Sequence, residues 1–219
     1  PSFDKLIRNP RLIDAASRIL GPDLIVWSAG LFIKEANTPS YVTWHQDLTY
    51  WGLDDTAEVT AWVALSPASV DSGCMRFMPG SQHQSLVPHS DTFADDNLLS
   101  RGQEVSVTVN EDDAVDAVLE TGQASLHHGH LIHASRPNRT DDRRIGVAIR
   151  YMAPSMKQTS GDRLLAALVS GTDQHENFII APPPKGRLLD ADFAQCRRDV
   201  ALKGKILYEG APSERGQRY

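Results

Sequence analysis

His45-Gln46-Asp47, a distant His133 and an arginine eleven residues beyond it, Arg144, are the residues of this chain whose types and spacing could do chemistry. If residues 44–48 form a strand, positions 45 and 47 project from one face, so an imidazole and a carboxylate can share one metal ion. His133 would complete a two-histidine, one-carboxylate facial triad. Such a triad leaves three positions of an octahedral Fe(II) open, enough for a bidentate 2-oxo acid together with O2. The chemistry would be oxidation.

Residue type alone leaves the distal ligand open, because His127, His128, His130 and His133 crowd one short stretch. Arg144 has two readings. A guanidinium can meet a carboxylate of a bound molecule with two parallel charge-assisted hydrogen bonds, which a lysine cannot reproduce. The plainer use is an ion pair with Asp141 or Asp142. Strand alternation would turn the adjacent Arg143 to the opposite side.

The surroundings narrow these choices. Trp44-His-Gln-Asp-Leu-Thr-Tyr-Trp51, Trp62-Val-Ala-Leu-Ser-Pro67, Ser72-Gly-Cys-Met-Arg-Phe-Met-Pro-Gly-Ser81 and His133-Ala-Ser135 with Asn138 and Arg144 together resemble the phytanoyl-CoA dioxygenase family, from about residue 30 to about residue 156. The resemblance implies a mostly β protein with flanking helices, a double-stranded β-helix of the jelly-roll, cupin-like kind. It implies Fe(II) as cofactor, with 2-oxoglutarate and O2 as cosubstrates. The family pattern His-x-Ser, then Asn, then Arg is met only from His133, so His45, Asp47 and His133 are the implied metal ligands and His130 the runner-up. The other histidines could be exposed, hydrogen-bonded or substrate-facing.

By the same resemblance Arg144 holds the distal carboxylate of 2-oxoglutarate, and Ser135, Trp62 and Gln46 lie near that pocket. Each of those three could equally be a packed core residue. Related halogenases replace the carboxylate by a small residue; here Asp47 is present, which favours hydroxylation or a similar oxidation. The expected reaction is hydroxylation of an unactivated C–H bond of a small molecule, with release of succinate and CO2. Two alternatives stand beside it: a cupin-like metal-dependent isomerase or hydrolase that needs no O2, and a non-catalytic ligand-binding barrel. Arg144 discriminates against the former, which has no need for a carboxylate clamp. Tyr50, Trp51, Lys34, Arg76 and Arg150 are lesser candidates for lining the substrate space, and packing or surface charge explains them equally well.

Composition bounds the rest. The 219 residues, with 41% hydrophobic and 23% charged, suit a single domain over 1–219 with a sizeable core. Family members usually carry a further N-terminal region, so a chain beginning at Pro1 is expected to lack part of it. A net charge of −6 and a pI near 5.7 give no support to nucleic-acid binding. No apolar run approaches the roughly 18 residues that would suggest a membrane span. Cys74 and Cys196 are far apart without CxxC spacing, which suits a reducing cytoplasm better than a disulfide framework. The partner expected is a small-molecule substrate; oligomeric state is open.

The elements that must position these residues follow from periodicity. Apolar residues from Phe3 to Leu20 recur at helix spacing, broken at Pro10 and stopped at Gly21-Pro22. Strands are expected at 24–34, 57–67, 74–78, 105–109, 115–119, 124–133 and 144–152, with 57–67 half-buried by its alternation. Residues 82–104 form a long polar connection, a candidate lid or a plain surface excursion. Helices are expected at 158–170 and 191–204.

Overall fold

Asn9 and Pro10 decide how the chain begins. The Asn9 side chain accepts a hydrogen bond from the Arg11 amide at 3.0 Å, and Pro10 occupies the first helical position, where a missing N–H costs nothing. The apolar run therefore splits into α1 (Ser2–Ile7) and α2 (Pro10–Leu20). Gly21, at φ +96°, ends α2 with its amide on the Ser17 carbonyl. The computed structural model describes residues 2–159, 161–187 and 189–211.

Twelve strands and one more helix follow: β1 (Leu24–Lys34), β2 (Val42–His45), β3 (Glu58–Ala64), β4 (Met75–Phe77), β5 (His89–Asp91), β6 (Gln103–Val105), β7 (Val115–Ala117), β8 (Ala124–His127), β9 (His133–Ser135), β10 (Arg144–Met152), β11 (Leu165–Ser170), β12 (Ile179–Ile180) and α3 (Asp190–Leu207). The chain divides into two compact units, each assembled from separate segments: Pro1–Ala29, Tyr50–Val59 and Ile149–Tyr219 form one, Gly30–Thr49 and Thr60–Ala148 the other.

In the first unit the strand order is β12-β11-β1-β10, with β11 antiparallel to β1 in the register Leu24↔Ser170, Ile25↔Leu168, Val26↔Ala167. Residues 158–170 were expected to be helical, and Leu165–Ser170 is instead a strand. Leu-Ala-Ala-Leu carries good helix propensity, but pairing with the buried edge Leu24–Val26 overrides it. The final helix forms as α3, and its buried Lys203 donates to the Trp27 carbonyl at 2.7 Å and to Asp199 at 2.5 Å.

In the second unit two sheets face each other, β1-β10-β3-β8 and β2-β9-β4-β7, the sandwich of a jelly roll. Trp62, Ala64 and Ala148 of the larger sheet pack with Met75 of the smaller and with Cys74 just before it, and Phe32 and Phe77 close the cluster. β3 does not alternate as expected: all seven of its residues are buried, so both of its faces are covered. The expected strand 124–133 is two strands with a turn between, and the segment 106–109 carries no strand.

Gly146 makes this packing possible. A Cβ there would lie 1.9 Å from Cζ2 of Trp62, so no larger residue fits beneath the indole without moving it. Gly146→Ala is expected to destabilise the protein by at least about 1–3 kcal/mol, lowering the thermal midpoint by several degrees. Thermal and urea denaturation check it; a midpoint equal to the parent's would show that the indole has room to shift.

Candidate metal centre and anion pocket

The expected strand 44–48 ends early. β2 stops at His45 and a 3-10 turn, Asp47–Tyr50, begins at the carboxylate. His45 and Asp47 are thus brought together by a strand end and a tight turn, not by strand alternation. The distal histidine arrives by register: β2 pairs antiparallel with β9, His45 opposite His133, and Phe77 of β4 lies opposite His133 on the other side.

His45, Asp47 and His133 each offer a ligand atom within 4.8 Å of the others. Nε2 of His45 lies 3.4 Å and Nε2 of His133 4.0 Å from the same oxygen, Oδ1 of Asp47. Each imidazole is oriented by its far nitrogen: Nδ1 of His45 meets the Thr43 carbonyl at 2.9 Å, and Nδ1 of His133 the Leu131 carbonyl at 2.8 Å. With Nδ1–H donating to a carbonyl, Nε2 carries the lone pair and faces the carboxylate, the arrangement metal-binding histidines need. Burial, reinforced by His45 and His127, pushes the His133 pKa well down, which favours the neutral, ligating form. Two nitrogen donors and one carboxylate on one side of a metal suit Fe(II) with open positions opposite.

His130 does not join this cluster; its amide donates to His128 Nδ1 at 3.1 Å, within the turn after β8. His127 does approach it, with Nε2 3.8 Å from Oδ2 of Asp47 and its ring 4.7 Å from that of His133. Thr60 Oγ1 lies 3.4 Å from the same oxygen.

Arg144 opens β10 in the interior, with no carboxylate paired to it among the described residues. It is 2% exposed, forms no ion pair among the described residues, and has no partner at Nε. Its only hydrogen bond among the described residues is a long one, 3.5 Å from Nη1 to the Phe32 carbonyl, while Cζ sits 5.2 Å above the Trp62 ring. The alternative pairing with Asp141 or Asp142 does not occur. Arg143 takes the outer side as alternation requires, held by Glu35 at 2.7 Å.

Lys34, fully buried at the end of β1, shares the pocket. Its Nζ donates to Ser135 Oγ at 2.7 Å and to the Arg136 carbonyl. Burial first, then the Arg144 charge, pushes the Lys34 pKa down to about 6; burial likewise brings Arg144 down to about 10. Both shifts record the same fact. A guanidinium and an amine are held out of water with no carboxylate paired to either among the described residues, an arrangement that a bound anion would relieve.

Gln46 has different work. Its amide donates to the His130 carbonyl at 2.8 Å and to Ser85 O at 3.4 Å, and its oxygen accepts from the Val87 amide at 2.8 Å, which uses the side chain fully on backbone groups. Its own backbone N–H donates to His89 Nε2 at 3.1 Å. The 82–104 segment is fastened here and again at β2. β5 and β6 pair as a two-stranded sheet, Thr43 Oγ1 donates to the Gln103 carbonyl at 2.6 Å, and buried Arg101 pairs with Asp91.

Of the lesser candidates, Arg76 is engaged by Glu111 at 2.5 Å and Asp116 at 3.2 Å. In the first unit, Trp51 stacks on Trp27 at 4.8 Å, with Arg150 5.3 Å above it. The residues that sequence reasoning underrated are Lys34, Gly146, Thr60 and His127. Lys34 did carry a signal: it is the single charged residue of the eleven in β1.

Residues 1–146 match the family described as phytanoyl-CoA dioxygenase (PhyH), and the chain belongs to that family. Among solved structures it is similar to the non-heme monooxygenase ThoJ in its apo form, 36% identical with a TM-score of 0.84, over 94% of this chain and 75% of that one. A nickel complex of ThoJ aligns at 34% identity and a TM-score of 0.76, with the same coverage. Among curated relatives, the probable alpha-ketoglutarate-dependent hypophosphite dioxygenase of Stutzerimonas stutzeri is 25% identical over 160 residues, covering 69% of this chain and 53% of the relative. The chain thus spans about half the length of that relative. No helix among the described residues is long and apolar enough to cross a membrane.

The cluster's geometry has a direct consequence for metal binding. Asp47→Ala and His133→Ala should each lose Fe(II) binding under anaerobic equilibrium dialysis, whereas His130→Ala and His128→Ala should keep the parent's iron stoichiometry. Iron loss from His130→Ala with none from His133→Ala would reverse the assignment.

Proposed function

We propose that this protein is an Fe(II)- and 2-oxoglutarate-dependent dioxygenase that hydroxylates an unactivated C–H bond of a small molecule. His45, Asp47 and His133 hold the iron through Nε2, Oδ1 and Nε2. Bound there, Fe(II) supplies O2 activation coupled to oxidative decarboxylation of 2-oxoglutarate to succinate and CO2. Arg144 binds the distal carboxylate of the cosubstrate, with Lys34 contributing a second donor and Ser135 holding Lys34 in place. Trp62 supports the guanidinium from below, and the walls of the sandwich exclude water from the pocket.

The observation that carries this reading is the buried Arg144 guanidinium with no carboxylate partner, in the same unit as the three converging ligands and beside a buried lysine. A metal-dependent isomerase or hydrolase would have no use for that pocket.

Anaerobic titration of the Fe(II)-loaded protein with 2-oxoglutarate tests it, by the metal-to-ligand charge-transfer band of a chelated 2-oxo acid. Arg144→Lys keeps charge but loses the paired geometry, and Arg144→Ala loses both. A hydrogen bond to a charged group contributes on the order of 1.5–3 kcal/mol, so the apparent KM for 2-oxoglutarate should rise roughly tenfold to a thousandfold, with iron content hardly changed. No band in the parent, or unchanged binding in Arg144→Ala, would remove the reading.

Lys34 adds a pH dependence of definite sign. In the free protein its pKa is about 6, so at pH 7 to 8 the amine is mostly neutral; a bound carboxylate raises that pKa, and binding takes up a proton. Affinity for 2-oxoglutarate should therefore be greatest below about pH 6 and weaken by up to about tenfold per pH unit above it. Calorimetric titration in buffers of unequal ionisation enthalpy counts the proton, and Lys34→Met should abolish the uptake. Equal proton uptake in parent and Lys34→Met would assign it to another group.

A further inference from the structure

The histidine at position 127 is poorly explained by packing. Its ring is 4% exposed, lies 5.4 Å from Phe77 and 4.7 Å from His133, and would be replaced in that slot by any apolar ring of similar size. As a histidine it brings two buried nitrogens, Nδ1 and Nε2, with no hydrogen-bond partner. Unpaired buried polar atoms are destabilising, so the imidazole is worth keeping only where a nitrogen is used.

The nearest group that could use it is the carboxylate of Asp47, whose two oxygens face different neighbours. Oδ1 faces the nitrogens of His45 and His133, at 3.4 and 4.0 Å. Oδ2 faces His127 Nε2 at 3.8 Å and Thr60 Oγ1 at 3.4 Å. These last two residues are opposite one another in the β3–β8 register, so Thr60 donates to that oxygen from one strand and the His127 imidazole approaches it from the other.

We propose that His127 is a positioning residue for Asp47: its Nε2–H holds Oδ2, so that the carboxylate coordinates the metal through Oδ1 alone. The inference rests on the metal site proposed above. Its consequence is a matter of counting. Three protein donors leave three of six octahedral positions, which a bidentate 2-oxo acid and O2 fill; a carboxylate bound through both oxygens would leave two, enough for the 2-oxo acid only.

The test is anaerobic Fe(II) titration at saturating 2-oxoglutarate, read by the charge-transfer band, together with the thermal midpoint of the metal-free protein. His127→Phe fills the same slot without a donor, and His127→Gln restores an N–H near the Nε2 position. His133→Ala serves as the standard for a lost ligand. His127→Phe should keep or raise the metal-free midpoint while weakening Fe(II) binding about tenfold to a hundredfold, and His127→Gln should recover most of the loss. Fe(II) binding by His127→Phe equal to the parent's would show that the ring only packs. A loss as complete as that of His133→Ala, without recovery in His127→Gln, would make His127 a fourth ligand, and either result overturns the proposal. If His127→Phe does not fold, His127→Met against His127→Gln gives the same contrast. Failure of the parent to bind Fe(II) would instead strike the proposed metal site itself.

Discussion

His45 and His133 occupy opposed positions on neighbouring strands, and the strands around them hold the two imidazole rings close together. A pair of charged imidazoles with ring centroids 4.1 Å apart would repel strongly in a site this dry. Burial keeps His133 neutral, and backbone carbonyls of Thr43 and Leu131 fix both tautomers so that the lone pairs meet at one carboxylate oxygen. The short strands around them are then easier to understand. β2, β4 and β9 are three or four residues long because their work is to set register at this point, while the long strands β1 and β10 build the wall behind it.

That wall carries the opposite electrostatic problem. Lys34 closes β1 and Arg144 opens β10, so the two longest strands bring a guanidinium and an amine of lowered pKa close together in the interior. The sequence supplies acids nearby, at Glu35, Asp141 and Asp142, but each is turned outward: Glu35 pairs with Arg143, Asp141 with Asn37, and Asp142 with the Arg143 amide. Asn138 fixes this separation by donating to the carbonyls of Lys34, Glu35 and Asp142, tying the end of β1 to the turn before β10. Arg144 keeps no carboxylate partner among the described residues because the turn directs the nearby acids elsewhere.

How far this was legible in the sequence depended on whether a residue's role is local. His45, Asp47, His133 and Arg144 could be singled out because residue type and spacing alone restrict the chemistry, and the family pattern chose among four clustered histidines. The division at Pro10 was readable from the proline itself, and the helix expected over 191–204 forms within α3. The strand at β11 was not, because Leu and Ala report helix propensity while pairing with β1 is a long-range fact. Gly146 and Thr60 were invisible for the same reason: each matters through one side chain on another strand, Trp62 in one case and Asp47 in the other. The strand expected over 44–48 ends at His45 instead, and a tight turn brings positions 45 and 47 together by a different geometry.

Gln46 shows why the residue between two ligands can be as constrained as the ligands. Its side chain clamps three backbone groups drawn from the turn before β9 and the segment before β5, and its amide is received by His89 of β5. The long 82–104 excursion is therefore connected to the metal motif at its centre, and the Asp91–Arg101 pair and the β5–β6 ladder stiffen it. A freely swinging lid would have to break that ladder or its bonds to Thr43 and Gln46, several hydrogen bonds at about 1 kcal/mol each. The excursion is better understood as a brace. It holds the turn at Asp47 from outside while the imidazoles of His45 and His133 approach the carboxylate from within.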